Sequence, residues 1–126
     1  MRGAGGCIRT LVRSGALAPD GRLNAPLYGL IVRLTVHDGK RDEMIDVLRG
    51  SARNMPGCIC YVVANDVSDA RSSWVTAVCE SEESHTASLS LPAVRNAIPF
   101  GKQLVASYDR VAATAPVWSA SHKVAR

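Results

Sequence analysis

The sequence predicts an α+β protein of ferredoxin-like type, a βαββαβ chain folded into one four-stranded antiparallel sheet with helices on one face. Three observations predict it. Four runs rich in Val, Ile, Leu and Ala read as strands, an amphipathic helical pattern separates the first two, and a second capped helical region separates the last two. At 126 residues the chain holds one domain with a single modest core.

The first strand is Leu27–Val36, LYGLIVRLTV, in which Arg33 and Thr35 alternate with Leu34 and Val36. HDGK turns the chain at Gly39. Over Lys40–Met55, Met44, Leu48, Ala52 and Met55 fall on one helical face, and Arg41, Asp42, Asp46, Arg49 and Arg53 on the other. Pro56-Gly57 ends that helix. Cys58–Asn65 is the second strand, Asp66–Arg71 a polar loop and Ser72–Glu80 the third strand, an antiparallel hairpin. Ser81 caps the next helix, whose Glu82 and Glu83 suit the positive end of the helix dipole. Pro92 opens a short helical turn through Ile98, closed by Pro99 and Gly101, and Leu104–Thr114 supplies the fourth strand.

The net charge of +4 is confined to the flanks. Residues 1–26 contribute +3 and residues 119–126 contribute +2, while the body, 27–118, has nine basic and ten acidic residues. A body without a basic footprint argues against nucleic-acid binding. No apolar run reaches the length of a membrane span. Residues 1–26 fail as a secretory signal, because Arg9 and Arg13 interrupt the apolar residues. They are expected to be a disordered arm, with 119–126 a flexible tail.

Cys7, Cys58, Cys60 and Cys79 contain no zinc-ligand spacing. They read as reduced thiols acting as small apolar residues, which suits the cytoplasm. A hairpin register pairing Asn65 with Ser72 sets Cys58 opposite Cys79; a shifted register brings Cys60 to Cys79 instead. In both cases the thiols are expected to stay reduced. The sheet face away from the helices reads as apolar as the other, and in water it calls for a second subunit to cover it.

With the element order in place, four segments resemble the antibiotic biosynthesis monooxygenase family of small dimeric α/β-barrel proteins. They are LIVRLTVHDGKRDEMIDVL, MPGCICYVVANDVSD, SSWVTAVCESEESHTASLSLPAVRNAI and LVASYDRVAATAPV. The most specific features are P-G-C-x-x-Y after the first helix and E-S-x-E-x-H-x-x-S-L after the third strand. The resemblance implies a homodimer without cofactor or metal that oxidises a quinol, polyphenol or polyketide-type aromatic with O2. In such enzymes the phenol loses a proton and reacts directly with oxygen inside an apolar pocket. The runner-up reading is a non-catalytic small-molecule-binding or stress-response protein of the same fold, and the third an isomerase or cyclase using the same pocket. At the end of the third strand the family often reads E-x-W-E-S; here Ala77 and Cys79 stand at the Glu and Trp positions. The residues argue against the haem-degrading branch, since its Asn, Trp and His positions fall on Val32, Cys79 and Ile98.

His85, four residues after the Ser81 cap, can aim at the sheet and take a phenol proton near neutrality, or hydrogen-bond a neighbour and fix its helix. Tyr61 and Asn65 share one strand face. Tyr61 can donate to a substrate oxygen, and Asn65 can join it or organise the hairpin turn with Asp66. Trp74 is a stacking platform or a large core or interface residue. Arg33 orients an anionic substrate or pairs across the dimer.

Overall fold

The computed structural model describes residues 13, 15, 17–23, 26–52 and 57–119. The elements are β1 (Tyr28–Val36), α1 (Arg41–Ala52), β2 (Cys58–Asn65), β3 (Ser72–Cys79), α2 (Glu82–Ser88), α3 (Pro92–Leu104) and β4 (Val105–Thr114). The sheet order is β2-β3-β1-β4 with every pairing antiparallel, the ferredoxin-like arrangement expected.

Strand alternation sorts the side chains. Leu30, Val32, Leu34 and Val36 of β1 turn toward the helices and form the core with Met44, Val75 and Leu104. Fully burying side chains of this size stabilises the fold by about 1.5–3 kcal/mol each. α1 contributes Met44 from the expected apolar stripe, with Val47 and Leu48 packed beside it; Met55 lies outside the described residues.

The second helical turn departs from expectation. Pro99 and Gly101 do not end it, for α3 runs on to Leu104. Pro99 sits on the exposed side, so the Arg95 carbonyl it leaves without an amide partner faces water. Gly101 is buried within α3, where a Cβ would make an ordinary 3.4 Å contact with Met44 Cε of α1.

At the hairpin the expected loop is organised by two aspartates. Asp66 accepts from Ser68 N at 2.8 Å, Asp69 N at 3.0 Å and Trp74 Nε1 at 2.8 Å. Asp69 accepts from Ser72 Oγ at 2.7 Å and pairs with Arg33 at 3.2 Å. Arg41 donates to the Asp69 and Ser72 carbonyls at 3.0 and 3.3 Å, tying α1 to the loop.

The face away from the helices is not uniformly apolar. Alternation places Arg33, Thr35, Trp74 and Thr76 on it beside Ile31, Val62 and Val78. Part of it is covered by the chain itself. Residues 17–23, inside the stretch expected as a disordered arm, form a turn in which Leu17 bridges Leu23 and Arg22 bridges Trp118. Leu17 and Leu23, with Cys60 and Val78, pack on the buried pair Leu27 and Ile59. Residues 1–12, 14, 16, 24–25 and 120–126 lie outside the described residues. Cys60 is disulfide-bonded, which corrects the expectation of a reduced thiol; it sits among Leu17, Leu23 and Val78 on the face away from the cavity. Cys58 and Cys79 are free thiols, as expected, and Cys7 lies outside the described residues. Among the described residues, no helix is long and apolar enough to cross a membrane.

Candidate functional site

Between the sheet and the three helices lies a cavity of about 520 Å³. Leu30, Val32 and Leu34 form its floor, and Met44, Leu89 and Val94 belong to its helical walls. Its polar groups include His85, Tyr61, Tyr108, Cys58 and Cys79. A mostly apolar chamber with a few convergent polar groups suits a flat organic ligand.

His85 is placed by α2. Ser81, the expected cap, accepts from Ser84 N at 3.0 Å. Gly57 lets this helix start against the sheet: its φ is +82°, and a Cβ there would lie 2.9 Å from Ser84 Cβ. Glu80 N donates to the Gly57 carbonyl at 2.9 Å and closes the same corner. The imidazole then packs on the Tyr28 ring, with centroids 5.7 Å apart and planes inclined at 46°. Burial, then the Arg110 charge, holds its pKa below the usual histidine value, against a smaller opposing pull from Glu82. At neutral pH the ring is uncharged and able to accept a proton.

Tyr61 is on β2 opposite Ala77. Burial, with Cys58 and Tyr108 as negative neighbours when ionised, pushes its phenol up to about 12. It is therefore a hydrogen-bond donor at neutral pH. The pKa is raised in the folded state, so its stabilising effect is present below the unfolded value near 10 and is lost as pH climbs toward 12. Unfolding free energy should drop by roughly 3 kcal/mol across that window. Denaturant titrations of the chain and of Tyr61→Phe measure it: the variant should lack this component, and identical alkaline profiles would refute the assignment.

Cys58 and Cys79 stand opposite each other, because a bulge between Cys58 and Cys60 shifts a register that otherwise pairs Asn65 with Ser73. The Cys79 thiol facing it lowers the Cys58 pKa against the effect of burial, and the backbone at Cys60 adds to it; the protonated Cys58 thiol donates to the Cys60 carbonyl at 3.8 Å. Cys79 is displaced upward by Cys58, then by burial.

Of the expected site residues, the structure brings His85 and Tyr61 together. Asn65 shares the Tyr61 face but sits exposed at the hairpin end, where its Oδ1 accepts from Ser73 Oγ at 3.3 Å. Arg33 and Trp74 occupy the opposite face, the guanidinium 5.8 Å from the Trp74 ring centroid, and both are engaged with the hairpin aspartates. Tyr108, Lys102 and the paired thiols were not anticipated as lining. Ala77 and Cys79, where the family often carries larger side chains, both line the cavity and leave it room. Among the described residues, no cluster of three or more His, Cys, Asp or Glu could hold a metal.

The ferredoxin-like sheet with an apolar chamber beneath its helices defines a class of small α+β domain with an internal cavity. The family model described as antibiotic biosynthesis monooxygenase matches residues 27–99, and the chain belongs to that family. Among solved structures, one from Chloroflexus aurantiacus J-10-fl, named "putative Antibiotic biosynthesis monooxygenase", is 43% identical with a TM-score of 0.70. The match covers 79% of this chain and 99% of that one. A protein of the same name from Bacteriodes thetaiotaomicron VPI-5482 is 12% identical (TM-score 0.67, 78% and 97% covered) and shares the fold. Another from Nitrosomonas europaea is 13% identical (TM-score 0.59, 78% and 93% covered). No curated protein matches. Family and neighbours support a monooxygenase-like function in general terms.

Proposed function

We propose that the chain is a cofactor-independent monooxygenase that oxidises a quinol or polyphenolic aromatic of polyketide type with O2. The observation that carries this is the pairing, in one apolar chamber, of an uncharged His85 with a Tyr61 that keeps its proton. His85 takes the phenol proton, as a general base poised near neutrality does. Tyr61 donates a hydrogen bond to the phenolate oxygen so formed, and the walls keep water from the electron-rich ring while it reacts with O2. Arg33, Trp74 and Asn65 have no part in this step; they hold the hairpin. Oxygen uptake with a panel of one- and two-ring hydroquinones tests the reading. Uptake that depends on protein and saturates with substrate supports it. Uptake no faster than in buffer overturns it, and isomerisation without oxygen loss would turn the same pocket to proton transfer alone.

The working form is a homodimer in this proposal. β4 is a ten-residue edge strand with Tyr108 59% and Val111 53% exposed, and Val62 on the helix-free face is 46% exposed. Long open edges with apolar side chains invite pairing unless covered. Light scattering at micromolar concentration should return twice the chain mass; a stable monomer contradicts it.

A further inference from the structure

The chamber contains a group that proton abstraction leaves unused. Cys58 and Cys79 are both free, both line the cavity and face each other across β2 and β3. Cys79 is 2% exposed and enclosed by the strands, whereas Cys58 is half-buried and meets the open space. Tyr61 stands on the same strand face and presents a hydroxyl to the same space. A soft nucleophile, a second thiol opposite it and a hydroxyl donor around an apolar chamber suit a carbon electrophile conjugated to a carbonyl.

We propose that Cys58 is the nucleophile of a covalent binding site for α,β-unsaturated carbonyl compounds with a flat apolar body, with Cys79 as its proton donor. The Cys58 sulfur adds to the β-carbon, so one C–S bond forms and the C=C π pair moves toward the carbonyl as an enolate. Tyr61 donates a hydrogen bond to the enolate oxygen. The Cys79 proton passes to the α-carbon while water reprotonates Cys79 in the same step, so the negative charge that began on Cys58 leaves as hydroxide and none rests on the buried sulfur. No oxidant is consumed, and the reverse elimination releases the ligand. The lowered Cys58 pKa supplies thiolate, the reactive form, at lower pH than an ordinary cysteine would. The site does not depend on oxygen chemistry, so it stands or falls apart from the monooxygenase reading.

The test uses the full chain under nitrogen without reductant, with benzylideneacetone as the apolar enone and acrylamide as a small polar one. Intact mass and peptide mapping should show one equivalent of benzylideneacetone on Cys58, at a rate that saturates with probe. The preference for benzylideneacetone over acrylamide should exceed that of free N-acetylcysteine by at least about tenfold, since bound geometry adds to intrinsic reactivity. Benzylacetone, the saturated analogue, should protect. Cys58→Ser should abolish the adduct, and Cys79→Ala should move the midpoint of the rate–pH profile upward, because the neighbour that favours the Cys58 thiolate is gone. An adduct elsewhere, labelling linear in probe, the selectivity of free N-acetylcysteine, or no protection by benzylacetone in the unmutated chain would each overturn the proposal.

Discussion

His85→Ala should cut hydroquinone-dependent oxygen uptake by roughly 10²–10⁴-fold, the usual worth of a positioned general base. Its melting temperature should move little, because the half-buried ring contributes one tilted contact with Tyr28 and fills no core position. The pH profile sharpens the test. The folded His85 pKa lies below the unfolded value, so the neutral ring persists to lower pH than in a free peptide. Uptake should rise with pH through a midpoint under 6.5, the ordinary value, and be level by neutrality. The same sign applies to stability: the contribution is present above the unfolded pKa and is lost as pH falls toward the folded one. The variant should lack both limbs. A variant that melts early yet turns over normally would make His85 a helix-fixing residue and remove the base from the mechanism.

The sequence carried the scaffold further than the site, for a physical reason. Strand and helix periods depend on near neighbours, so β1, α1, the hairpin and the Ser81 cap could be read from local pattern alone. α3 broke that rule. Pro99 and Gly101 are stop signals locally, yet the segment gains more by burying Val94 and Leu104 on the sheet than the lost hydrogen bond costs. His85 and Tyr61 both line the cavity, each standing in a motif or on a strand face whose direction could be read. Asn65 shares the face but not the depth, since the cavity ends before the hairpin. Arg33 and Trp74 lie outside the cavity by parity, because alternation sets them on the side without helices, which leaves Trp74 its interface role and Arg33 its pairing across a dimer. The Cys58–Cys79 juxtaposition needed a bulge that shifts the pairing by one residue, and no strand pattern announces a bulge.

Removal of residues 1–23 should destabilise the protein by about 2–4 kcal/mol, a fall in melting temperature on the order of 10 °C. The sequence argued otherwise, since that stretch read as part of a disordered arm. The described part of it, 17–23, packs instead. Leu17 and Leu23 close over Leu27 and Ile59, which are only 7% and 5% exposed beneath them. Backbone bonds anchor the turn to the chain after β4: Leu23 N donates to the Val117 carbonyl at 3.1 Å and Ser119 N to the Gly21 carbonyl at 2.7 Å. Trp118 Nε1 donates to the Asp20 carbonyl at 3.1 Å, and a Cβ on Gly21 would lie 2.6 Å from that same nitrogen. Truncation exposes the apolar patch and frees the β4 extension together. Measuring both proteins in excess reductant keeps the Cys60 disulfide from contributing to either. A full-length Leu17→Ala, Leu23→Ala double variant isolates the packing and should show a substantial part of the loss. Melting curves that coincide with the unmodified chain in both cases would return this segment to the role of a free arm and leave Leu27, Ile59 and Val78 for a second subunit to cover.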